Sequence, residues 1–77
     1  KIYIMKLNDI IGQRIKELRL EKNLTIEELS KKTQIGVEKL TAFENGDQTP
    51  STQTMLLLST ILQVPVSNLL DGSTNGS

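Results

Sequence analysis

A chain of 77 residues with no cysteine and no histidine has few ways to hold itself together. It cannot form a disulfide, and it lacks the thiolate and imidazole ligands of a structural zinc site. It must fold on apolar burial alone. A chain of this length buries only about 60% of the surface it exposes when unfolded, so the core has to be single and tightly packed. The same absences remove thiolate and imidazole chemistry. Gly36 and Gly46 stand isolated and form no phosphate-cradling loop. Glu27 and Glu28 are adjacent, so on a helix they diverge instead of forming an acid pair. No catalytic residue, metal or cofactor is expected.

Charge does not announce a partner. Nine Lys or Arg balance nine Asp or Glu, whereas nucleic-acid binders usually carry a basic excess or at least a basic face. The longest apolar run, Met55 to Leu58, is far too short to cross a bilayer. No signal-like stretch follows Lys1, so the expected location is the cytoplasm.

Punctuation and periodicity divide the chain into an extended arm over 1–7, a helical domain over 8–71 and a polar, flexible Gly/Ser tail over 72–77. A first helix is expected from about Asp9 to Lys22, capped by Asn8 or Asp9, with Ile11, Ile15 and Leu18 inward. Thr25 and Glu28 have capping-box spacing, and Leu24 and Leu29 stand where a hydrophobic staple would sit. They start a second helix that ends near Thr33. A third runs from about Gly36 to the left-handed exit at Asn45-Gly46. Pro50-Ser51 opens a fourth, to about Gln63, with Met55, Leu58 and Leu62 inward. Pro65 ends it, and a short fifth helix covers Val66 to Leu70. The fold class is all-α: a compact five-helix bundle.

Leu29, Ile35, Leu40 and Phe43 are interior positions of two short helices joined by a tight turn, which is helix-turn-helix spacing. The stretches Ile11 to Arg19, Leu24-Thr25, Glu28-Leu29, Glu44-Asn45-Gly46, Pro50-Ser51 and Val64 to Leu70 then resemble the Xre/Cro-type helix-turn-helix domain. This lambda-repressor-like module is typical of phage repressors and bacterial regulators, and the resemblance spans about Ile10 to Gly72. It implies double-stranded DNA as partner, a structural pair between Arg19 and Glu44, and a recognition helix over about 36–46. Base-facing candidates are then Gly36, Val37, Glu38, Lys39, Thr41 and Ala42. Phosphate candidates are Arg14, Lys16, Thr25, Lys31, Lys32, Asn45, Gln48 and Thr49, with Lys39 able to serve either role.

Two departures from the family pattern count against DNA, and a third bears on the turn. Ile26 stands where the family often has a phosphate-holding Gln. Gln34 fills a turn position that favours Gly. Gly36 to Asp47 carries one positive charge against three negative. In the fourth helix, Leu57 and Ile61 lie beside the inward stripe, where the family is commonly polar. Their burial against a second copy, with the arm Ile2-Tyr3-Ile4 beside them, is the expected dimer surface; a core that wraps further round the helix is the alternative. Two functions therefore stand open at this point. One is a sequence-specific DNA-binding module of a transcriptional regulator, acting as a homodimer. The other is a protein-interaction module of the same fold.

Overall fold

The capping box does start a helix. In the computed structural model, which describes residues 7–70, Thr25 Oγ1 accepts from the Glu28 N–H at 3.0 Å and the Thr25 N–H donates to Glu28 Oε1 at 2.8 Å. Among the described residues five helices result: α1 (Leu7–Glu21), α2 (Ile26–Thr33), α3 (Val37–Asn45), α4 (Thr52–Leu62) and α5 (Ser67–Leu70). No strand occurs among the described residues. The arm over 1–7 and the tail over 72–77 lie outside the described residues, except for Leu7, which belongs to α1.

The first helix thus begins two residues earlier than expected, and neither Asn8 nor Asp9 caps it. Both are engaged elsewhere. The Thr49 hydroxyl donates to Asn8 Oδ1, and the Asp9 side chain packs over Gly46, so closely that a side chain there would collide with it. The start of α1 is therefore tied to the loop that follows α3.

The core is close to the expected one, with Leu69 added and Ile35 and Met55 only half-buried at its margin. Ile11, Ile15 and Leu18 of α1 meet Leu29, Leu40, Phe43, Leu58, Leu62 and Leu69, all buried, with Leu24, Ile26, Ile35, Met55, Ile61 and Val64 packed around them. α1 lies chiefly against α3 and α5, while α2 bridges α3 and α4. Gly12 sets the spacing between α1 and α3. A methyl on its Cα would run into the Phe43 carbonyl oxygen and stand 2.8 Å from that of Glu44.

The turn between α2 and α3 solves the problem posed by Gln34, which does sit left-handed, at φ 63°. Two hydroxyls knit it. Ser30 Oγ donates to the Ile35 carbonyl at 2.6 Å, and Thr33 Oγ1 donates to the Leu29 carbonyl at 2.8 Å while accepting from the Ile35 N–H at 3.2 Å. Asn23 and Gln63 adopt the same left-handed conformation at the exits of α1 and α4.

Gly12→Ala separates close packing from helix propensity. In an open helix the change gains roughly 0.5–1 kcal/mol. Here the collision is with backbone, and overpacking of this kind costs about 1–3 kcal/mol or more. A net loss of about 2 kcal/mol is expected in urea denaturation.

Candidate nucleic-acid interface

The third helix is held by a fork. Arg19 Nε and Nη2 donate to the two carboxylate oxygens of Glu44, at 2.7 and 3.1 Å, and Nη1 donates to the Leu24 carbonyl at 2.8 Å. Both side chains are nearly buried, at 10% and 6% exposure. One guanidinium therefore joins the end of α1, the entrance of α2 and the end of α3. The hydrogen bonds to Glu44 raise the Arg19 pKa above its ordinary value, against the opposing effect of burial. The pair also revises the electrostatic expectation. Glu44 is neutralised inside the protein, so α3 and its exit present Glu38 and Asp47 against Lys39, not three acids against one base.

With Leu40 and Phe43 buried and Glu44 turned to Arg19, the rest of α3 faces outward. Successive residues are rotated by about 100°. Glu38, Thr41 and Asn45 therefore share the middle of the outer face and all are exposed, with half-buried Val37 and Ala42 on its two flanks. Lys39 is exposed but lies about 100° round from Glu38, off that stripe. Gly36 caps α3 without a side-chain bond and is itself exposed.

The loop leaving α3 folds back on it. The Gly46 N–H donates to the Phe43 carbonyl at 3.1 Å, and the N–H groups of Asp47 and Gln48 donate to that of Ala42 at 2.9 and 3.3 Å. This keeps Asn45, Gln48 and Thr49, all exposed, at one end of α3. Thr25 enters the same neighbourhood through Arg19, whose fork grips Leu24 on one side and Glu44 on the other. The Thr25 hydroxyl accepts one hydrogen bond and keeps its own proton to donate.

Other candidates are placed differently. Arg14, expected at a phosphate, is buried: Nε donates to the Asn68 carbonyl at 3.0 Å and Nη1 to Glu17 at 2.7 Å, so it latches α5 onto α1. Ile26 packs against the core. Lys31 and Lys32 are exposed on α2, each one turn after Glu27 and Glu28, in the arrangement of a solvated face. Lys16 is exposed on α1.

The apolar pair on α4 divides. Ile61 packs against the core, which accounts for it without a partner. Leu57 stays 38% exposed, and its neighbour Leu56, which the helical spacing did not single out, is 50% exposed. A signal for this surface was available, because no Asp, Glu, Lys or Arg occurs between Gln48 and Leu70.

The capping box gives a pH dependence. Backbone hydrogen bonding from Thr25 holds the Glu28 carboxyl below its ordinary range. A carboxyl lowered in the folded state stabilises fully above its unfolded value, about 4.3, and loses that contribution as pH falls through the lower folded value. Glu28→Gln preserves the box geometry without the titration. Thermal melts from pH 6 to 2.5 should show a shallower acid decline for the variant than for the parent.

The family profile for helix-turn-helix proteins matches residues 15–69. The chain is 41% identical over 63 residues to the HTH-type transcriptional regulator SinR of Bacillus subtilis, an alignment that covers 80% of this chain and 57% of SinR. The chain thus spans little more than half the length of that relative. The HTH-type transcriptional regulator YopO, derived from the SPbeta prophage of B. subtilis, is 33% identical over 61 residues, covering 79% of this chain and 87% of YopO. Among solved structures, the restriction-modification controller protein C.AhdI of Aeromonas hydrophila superimposes with a TM-score of 0.77 at 29% identity, over 80% of this chain and 94% of that one. Profile, relatives and fold together show the family: the chain belongs to the Xre/Cro-like helix-turn-helix family of transcriptional regulators.

Proposed function

We propose that this domain reads a specific double-stranded DNA sequence by laying α3 in the major groove, as the DNA-binding module of a transcriptional regulator. The observation that carries the reading is the Arg19 fork, which fixes α3 so that Glu38, Thr41 and Ala42 are left with no core duty. Glu38 is suited to accept from a cytosine amino group, Thr41 to either partner type, and Ala42 and Val37 to thymine methyls. Lys39, off the stripe, is assigned to a phosphate. Thr25, Asn45 and Gln48 flank it as neutral phosphate donors, whereas the Thr49 hydroxyl is already given to Asn8; Lys16, Lys31 and Lys32 add positive charge on neighbouring surfaces. Regulators among the relatives favour this over a bare protein-interaction module.

A second copy of the chain is the proposed occupant of the exposed Leu56–Leu57 surface, in place of the Leu57–Ile61 pair expected from spacing. An uncharged apolar face suits a copy of itself, and two-fold pairing would place two recognition helices about one DNA turn, ~34 Å, apart.

The test is selection from a random duplex pool, followed by affinity measurements across salt. An enriched inverted repeat is expected. With so few cations at the interface, the slope of log affinity against log salt should be shallow, about −2 to −4. Lys39→Ala, lost from both copies, should lower the slope by about 2 and weaken all sites alike, whereas Thr41→Ala should relax preference at one position of each half-site by about 1 kcal/mol. Leu56→Glu with Leu57→Lys should leave helicity intact and yield monomers in sedimentation. A folded protein that enriches no motif would overturn the reading.

A further inference from the structure

The exit of α3 places an exposed asparagine directly before a glycine, Asn45-Gly46, within the surface assigned to DNA. This pair has a chemistry of its own. A deprotonated Gly46 amide nitrogen can attack the Asn45 side-chain amide carbon, and with no Cβ on the glycine nothing hinders closure. A C–N bond forms, ammonia leaves, and water opens the five-membered imide at either carbonyl to give aspartate or isoaspartate. Water is the only co-reactant.

The fold opposes this reaction. The nitrogen that must lose its proton donates that proton to the carbonyls of Phe43 and Ala42. Gly46 is held at φ 81°, and the Asp9 side chain lies against its Cα. Ring closure therefore requires the last turn of α3 to open and the loop to leave Asp9. Such local openings proceed with free energies set by the contacts they break. The neighbouring contact is the Arg19–Glu44 fork, one residue before Asn45.

The product disables the surface in two ways. A new negative charge appears at a helix carboxyl end, where the helix dipole already disfavours it, between Glu44 and Asp47. Isoaspartate also inserts an extra main-chain atom between residue 45 and Gly46, which shifts a glycine that the Asp9 side chain packs against. The loop carrying Gln48 and Thr49 would be displaced. We propose that Asn45-Gly46 is a modification site gated by the fold: closed by the native α3 exit, opened when the Arg19–Glu44 fork loosens, and inactivating once converted. Only the last clause rests on the DNA-reading assignment.

The experiment is incubation of the full chain at pH 8 and 37 °C, with peptide mapping that scores aspartate and isoaspartate at Asn45 separately from the second Asn-Gly pair, Asn75-Gly76, which lies outside the described residues. A free peptide of residues 38–52 provides the ungated rate. Conversion at Asn45 in the native protein should run at least about tenfold slower than in the peptide, and Glu44→Gln should speed it severalfold. Should Glu44→Gln lose its helicity, Arg19→Lys, which keeps the charge but loses the fork, takes its place. Equal rates in protein and peptide, or no conversion in either protein or variant once the peptide has turned over many times, would overturn the proposal. That readout needs no DNA, so its failure is distinct from failure of the DNA-reading assignment. The consequence is tested by the affinity ratio of aged to fresh protein for the selected site: a loss of severalfold is expected for the parent and none for Asn45→Gln. An unchanged ratio in a converted parent would overturn the inactivating role.

Discussion

The bidentate contact between Arg19 and Glu44 is the constraint on which the rest depends. An exposed ion pair is worth about 0–1 kcal/mol. This pair is nearly buried and doubly hydrogen-bonded, and it carries a third bond to the Leu24 carbonyl. A well-packed apolar substitute could match its contribution to stability, so its value lies in geometry. It joins three helices through one planar group whose donors allow little rotation. Gly12 supplies the other half of the constraint, letting α1 approach the carbonyls of Phe43 and Glu44. Between them, the glycine and the arginine set both the distance and the rotation of α3.

That fixation explains how a chain with no net charge presents a usable surface to a polyanion. The chain's total misleads because one acid of α3 does not face outward as a free charge. Glu28, although hydrogen-bonded to the Thr25 N–H, stays an exposed charge, whereas Glu44 is paired with Arg19 in a nearly buried bridge. Arg14 is similarly withdrawn into holding α5. What remains on the outer stripe of α3 is sparsely charged, which favours recognition through shape and base-edge contacts over attraction for any phosphate backbone. The uncharged segment from Gln48 to Leu70 is the complementary half of the design: it carries the leucines assigned to self-association and keeps like charges away from that contact.

Much of this was legible in the chain. Apolar spacing identified the buried residues, because a helix that must cover a small core has little choice of face. The capping box identified the start of α2 to the residue, since its two reciprocal bonds depend only on local sequence. Legibility failed where a side chain finds a partner far along the chain. Asn8 and Asp9 look like caps, but are drawn to Thr49 and Gly46. Arg14 looks like a surface cation until α5 is seen to lie beside it. Ile61 and Leu57 have equivalent spacing, and only the packing shows which of them the core absorbs. Gln34 is a different lesson. The unfavourable residue was visible, whereas its compensation by the Ser30 and Thr33 hydroxyls required the turn itself.

The central claim is that the fork orients α3, and a double-mutant cycle tests it most directly. Stability in urea and affinity for the selected DNA site would be measured for Arg19→Met, Glu44→Leu and both together. Each single change leaves a buried charge without its partner and should cost about 3–5 kcal/mol. The double variant should regain at least about 2 kcal/mol of that sum, yet bind DNA more weakly than the parent, because apolar contact does not fix the rotation of α3. Additive losses with no coupling, or a double variant with parental DNA affinity, would contradict the account.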